Sequence, residues 1–139
     1  MLNKIDHIGV AVKSLESVKE LFKEVFGEEP AFEEEVADQK VKVAGFKVGE
    51  SNIEFLEPTN EESPIAKYME KKGEGLHHLA INVDDVQATL NIMKEKGVRL
   101  IDEKPRVGAE GKLIAFAHPK SLHGILLELS QDAPEKEKE

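Results

Sequence analysis

The chain contains no cysteine. That excludes thiolate catalysis, disulfide scaffolds and cysteine-ligated zinc, and it fits a reducing cytosol. It also lacks a basic balance: the formal charge is −9 at pH 7, which disfavours sequence-independent binding to nucleic acid or to anionic membranes. Anionic small molecules are not excluded, because they respond to local charge. No apolar run approaches the roughly 20 residues that span a bilayer, and the N-terminus enters a strand without a signal-peptide core. The expectation is a cytoplasmic protein without nucleic-acid or membrane partners. Neither a G-x-G-x-x-G nor a Walker pattern is present, so Gly108-Ala-Glu-Gly111 reads as a short loop rather than a phosphate cradle.

What is present is a repeat. Lys4-Ile-Asp-His-Ile-Gly-Val-Ala-Val12 returns as Gly75-Leu-His-His-Leu-Ala-Ile-Asn-Val83, and each copy leads into an amphipathic helix. Ser14 stands seven residues after His7 and Asp85 seven after His78, both suited to cap a helix. Gly27 and Gly97 suit the ends of those helices. Each half closes on a strand with a glutamate between apolar residues, Ile53-Glu54-Phe55 and Leu127-Glu128-Leu129. With 139 residues the chain fits one domain.

The expected organisation is α+β, two βαβββ modules at 1–58 and 75–131, a connecting helix within 59–74, and a disordered tail at 132–139. In the first helix Leu15, Val18, Leu21, Phe22, Val25 and Phe26 form an apolar stripe. Val41 and Val43 fall in a second strand, Phe46 and Val48 in a third, and 52–57 in a fourth. Ser63 and Pro64 open the connecting helix. The second helix turns Val86, Leu90 and Met93 inward, and strands follow near 98–102, 113–118 and 124–130.

Register decides which histidine of the second copy matters. Leu79, Ile81 and Val83 share a face with His77, as Ile8, Val10 and Val12 share one with Asp6. His78 therefore points the same way as His7. Glu54 and Glu128 obey the same alternation, so all four project opposite the two amphipathic helices. Two neutral imidazoles and two carboxylates suit a divalent cation such as cobalt, manganese, nickel, zinc, iron or magnesium, with positions left for water or substrate. Any one of these residues alone would be an ordinary surface or hydrogen-bonded side chain; four matched by repeat, spacing and face point to a site.

Asp6 to Val12, Glu57-Pro58 followed by Ser63 to Lys67, Gly75 to Ala80, Gly97 to Pro105, Phe116 to Ser121 and Leu126 to Leu129 together resemble the methylmalonyl-CoA epimerase family of the vicinal oxygen chelate superfamily, over residues 4–131. The resemblance implies a glyoxalase-like fold with a curved mixed sheet around a metal site, and a homodimer. The implied activity interconverts (R)- and (S)-methylmalonyl-CoA by metal-assisted α-proton abstraction through an enolate. The implied metal ligands are His7, Glu54, His78 and Glu128, with cobalt first among the candidate ions, ahead of manganese, nickel, zinc and magnesium. Glu128 would also be the catalytic base, and Lys120 and Ser121 would contact substrate. Some family members carry a second glutamate where Lys42 stands here; a lysine there exchanges protons only if burial desolvates it, and the expectation is a solvated charge. Arg106 and Lys112 read as ordinary surface charges, and His77 as a partly buried, hydrogen-bonded residue. A glyoxalase-type isomerase or lyase, or a non-catalytic binding protein of the same fold, are the alternatives.

Overall fold

The computed structural model describes residues 2–133. Their elements run β1 Leu2–Ala11, α1 Leu15–Phe26, β2 Phe32–Val36, β3 Val41–Val48, β4 Ser51–Pro58, α2 Pro64–Lys72, β5 Gly75–Val83, α3 Val86–Glu95, β6 Arg106–Val107, β7 Leu113–Ala117 and β8 Leu127–Gln131. This is βαβββ, a helix, and βαβββ again, a mixed α+β fold. Asp132 and Ala133 carry no regular structure, and the rest of the expected tail lies outside the described residues. No helix among the described residues is long and apolar enough to cross a membrane. The chain divides into two compact units, Ile5–Leu79 and the described residues of Met1–Lys4 with Ala80–Glu139.

In the first unit the strands are ordered β2-β3-β4-β1, followed by the start of β5. β1 runs parallel to β4, while β3 is antiparallel to both β4 and β2. One face packs against α1, where Val12, Leu15, Ala44, Phe46 and Phe55 are buried with Val10, Val18, Phe22 and Ile53 around them. The Phe22 ring lies 4.3 Å from Phe46 and 5.4 Å from Phe55, centre to centre, contacts that add about 0.5–1.5 kcal/mol each beyond area burial. The opposite face carries Ala11, Val41, Val43 and Leu56, covered at one end by Ile65, Tyr68 and Met69 of α2.

The α1 stripe is wider than the line of contact. Leu15, Val18 and Phe22 meet the sheet, whereas Leu21, Val25 and Phe26 stay exposed. A helix laid on a sheet touches it along one line of side chains, and the flanking positions of a broad stripe are left out. Ser14 caps this helix by accepting from the Ser17 amide, and Gly27 ends it in the left-handed conformation at φ 65°.

Two strand expectations are corrected. Val41 to Val48 is one continuous strand, not two, and the acidic run Glu33-Glu-Glu35 is itself part of β2. β2 is an edge strand, so its glutamates face solvent while Phe32 and Val36 pack inward; acidic edge residues also discourage pairing with another chain.

The second unit orders the remainder of β5 with β8, β7 and β6. Its core is Val83, Val86, Leu90, Ala115 and Leu129, with Met93 of α3 against it. Asp85 caps α3 by accepting from the Ala88 amide. The strand expected near 98–102 is reduced to a single bridge from Leu100 to Ala117, and the second strand of this module is β6 instead. The Asp102 carboxylate takes the Phe116 amide at 2.9 Å, so a side chain replaces the ladder partner there. The last strand starts later than expected, at Leu127, because His123 and Gly124 both adopt positive φ in the preceding turn.

The repeat extends to a tertiary contact at the start of each helix. The first amide of α1, on Leu15, donates to Glu57 Oε1 at 2.9 Å, and the first amide of α3, on Val86, donates to Gln131 Oε1 at 2.9 Å. Glu57 and Gln131 each stand three residues after the strand glutamate of their module. Three positions along a strand reverses the face, so each module turns one side chain toward its helix and its glutamate away from it.

Candidate metal centre

Within the first unit His7 meets His78 on one side and Glu54 on the other, and their positions follow from register. Across the face opposite α1, Phe32 pairs with Gly45, Gly45 with Glu54, and Glu54 with Gly9. Glu54 is thus flanked by two residues without side chains. Rings occupy both gaps: a β-carbon on Gly45 would stand 2.1 Å from Cε1 of Phe32, and one on Gly9 would stand 2.1 Å from Cε1 of His78. The His78 imidazole therefore lies on the β1 backbone beside the Glu54 row.

The two imidazoles meet edge to face at 88°, and their Nε2 atoms are 2.9 Å apart. Two nitrogens bound at right angles to one ion at about 2.1 Å would be separated by about 3 Å. The observed spacing is that of adjacent ligands on an octahedral cation and equally that of a hydrogen bond. His7, Glu54 and His78 are all buried, and Asp6 is buried beside them. Buried carboxylates against imidazole call for a positive charge, and the donor set of nitrogen and carboxylate oxygen fits a borderline divalent ion.

Glu54 approaches the other side of His7. Its Oε2 lies 3.2 Å from His7 Nδ1, and Asp6 Oδ2 lies 2.7 Å from the same nitrogen. Ligand atoms of Asp6, His7 and Glu54 fall within 4.8 Å of one another. Strand alternation alone puts Asp6 on the other face from His7. The available signal was its offset, since it precedes His7 as His77 precedes His78. His77 Nδ1 stands 2.9 Å from His78 Nδ1, and the His77 ring meets Tyr68 edge-on at 4.7 Å.

Glu128 belongs to the second unit, on β8, where it is buried and paired with Phe116 of β7. Lys120 is exposed on a short turn in the same unit, and the Ser121 hydroxyl accepts from the Arg99 amide at 2.9 Å. His118 opens that turn by accepting from the Lys120 amide through Nδ1 at 3.0 Å. Arg106 stacks over Phe116 at 5.7 Å and faces Asp102, and Lys112 lies 3.8 Å from Glu110. Lys42 is exposed and pairs in register with Glu35 and Glu57. It alternates with Val41 and Val43, which line the face shared with Glu54, so it points to the other side.

Residues 6–116 match the family model of the Glyoxalase/Bleomycin resistance protein/Dioxygenase superfamily. The chain belongs to that superfamily. It is 40% identical to the uncharacterised protein YqjC of Bacillus subtilis, over 94% of this chain and 93% of that protein. It is 35% identical to the mitochondrial methylmalonyl-CoA epimerase of Bos taurus, over 94% of this chain and 75% of the relative. Among solved structures, a variant of Streptomyces coelicolor methylmalonyl-CoA epimerase in complex with 2-nitronate-propionyl-CoA superimposes with a TM-score of 0.92 at 38% identity, covering 99% of this chain and 100% of that one. The glyoxalase-like fold expected from the sequence is thereby shown, as is the kinship with methylmalonyl-CoA epimerases.

Proposed function

We propose that this protein is an epimerase interconverting (R)- and (S)-methylmalonyl-CoA, and that His7, Glu54, His78 and Glu128 hold a divalent ion. The observation that carries the reading is the convergence of the His7 and His78 Nε2 atoms at 2.9 Å in a chain 35% identical to a methylmalonyl-CoA epimerase over nearly its whole length. The sequence repeat supports Glu128 as the fourth ligand, because it occupies in the second module the place of Glu54 in the first.

The two imidazoles would bind through Nε2, and the two carboxylates would offset the charge of the dication. When bound, that ion supplies positive charge beside the thioester oxygen, where negative charge develops as the α-proton leaves. Glu128 accepts the α-proton of one enantiomer and returns it to the enolate in the reverse direction, a role open to a buried carboxylate. Inversion needs a second proton donor on the opposite face of the resulting enolate. On β3 the face shared with Glu54 carries Val41, Val43 and Gly45, none of which can exchange a proton. Lys120, exposed on its turn, is available to a substrate anion, while Ser121 both holds the Arg99 backbone and can contact substrate. Cobalt is the first ion to test, followed by manganese, nickel, zinc and magnesium, and a homodimer is the assembly this reading carries.

The deciding measurement is exchange of the C2 proton of methylmalonyl-CoA in deuterated water, with Co²⁺ and with chelator. Exchange and inversion that stop on chelation and resume with Co²⁺ are expected. Co²⁺ binding without exchange would reject this substrate and favour another isomerase or lyase reaction.

A further inference from the structure

We propose that Asp6 and His77 are positioning residues that hold the two histidine ligands by their Nδ1 atoms, an anion behind His7 and a neutral imidazole behind His78. This rests on the reading that both histidines bind one ion through Nε2. An imidazole used in that way carries its remaining proton on Nδ1, and an acceptor for that proton fixes the ring's orientation and tautomer. Each module places the residue immediately before its histidine within reach of that atom: Asp6 Oδ2 at 2.7 Å from His7 Nδ1, and His77 Nδ1 at 2.9 Å from His78 Nδ1. Adjacent residues on a strand point to opposite faces, so contact between their side chains is not a default of the β conformation.

Asp6 also explains how Glu54 can serve as a ligand while standing beside the wrong nitrogen of His7. Its own contact with His7 Nδ1, at 3.2 Å, is longer than that of Asp6. If Glu54 swings toward the ion, the Nδ1 proton keeps its acceptor and no buried donor is orphaned. The Asp6 side chain is 1% exposed, which holds it in place for that task. On the other side His77 is positioned by the Tyr68 ring, and Tyr68 is itself tied down by donating to the Leu76 carbonyl at 2.6 Å. The two supports are unequal. A hydrogen bond to an ionised acceptor is roughly twice as strong as one between neutral groups, so His7 is the better-supported ligand.

The test titrates Co²⁺ alone into the metal-free full chain, following the visible absorption of the bound ion and competition with a chromophoric chelator. Asp6→Ala should weaken Co²⁺ binding about 10- to 100-fold, the usual range for such supporting partners. Asp6→Asn, which keeps an oxygen acceptor without the charge, should recover part of the loss, and His77→Ala should weaken binding less than Asp6→Ala. Long-range ¹⁵N–¹H correlation spectra of the unsubstituted protein should place the His7 proton on Nδ1, a result independent of whether a variant folds. Native Co²⁺ affinity in Asp6→Ala, a larger loss in His77→Ala, or a His7 proton on Nε2 would each overturn the inference. Absence of Co²⁺ binding by the unsubstituted chain would instead remove the metal reading beneath it.

Discussion

The imidazole of His78 rests on the backbone of Gly9, so closely that a β-carbon there would come within 2.1 Å of its Cε1 atom. Gly9 pairs in register with Glu54, and its missing side chain is the seat in which the ring lies. The glycine is therefore required by close approach, not by a special backbone angle. Gly9→Ala should push the His78 ring away from His7 and weaken Co²⁺ binding at least tenfold. Overpacking of this kind costs about 1–3 kcal/mol, so a folded variant with a lowered melting temperature is expected. Unchanged Co²⁺ affinity in calorimetry would mean that the ring finds another seat.

His7→Ala should abolish divalent-ion binding and α-proton exchange while leaving the chain folded. The hydrophobic clusters around α1 and α2 do not include His7, so their packing survives its loss. Circular dichroism and Co²⁺ titration read the two consequences separately; unfolding would show that the ion is structural.

Glu128→Gln separates ligation from proton transfer. The amide keeps an oxygen donor and nearly the same volume but cannot accept a proton. Metal binding should persist, more weakly, while exchange at C2 falls by about 10²–10⁴-fold, the usual contribution of a general acid–base group. Exchange at the native rate with metal bound would assign the proton transfer to another residue.

Lys42→Ala should leave both exchange and inversion near their native rates, because Lys42 is exposed and lies between Glu35 and Glu57 on the side away from Glu54. Retained exchange with lost inversion, followed from each enantiomer, would make it the second acid–base group after all.

Glu57→Ala and Gln131→Ala should each lower stability by about 0.5–2 kcal/mol, the range for losing a helix-capping acceptor. Each removes the acceptor of the first amide of its helix. Similar losses in the two variants, by urea denaturation, would show that the repeat is energetic as well as geometric.

Much of this was written in periodicity. The alternation of Ile8, Val10 and Val12 against His7, and of Leu79, Ile81 and Val83 against His78, separates site face from helix face without coordinates, because strand side chains alternate with period two. Ser14, Asp85 and Gly27 marked helix ends for equally local reasons. Where the pattern was not local, the sequence was silent. Glu33 to Glu35 became a strand because pairing with β3 defines it, and the stretch near Leu100 did not, because the Asp102 side chain took the Phe116 amide. The residue types of the candidate ligands, and the face they share, were determined by the sequence alone. The 2.9 Å meeting of His7 with His78, the seating of the His78 ring over Gly9, and the reach of Asp6 to His7 Nδ1 were decided only by tertiary structure, because strand register and rotamer bring together atoms that sequence spacing does not relate.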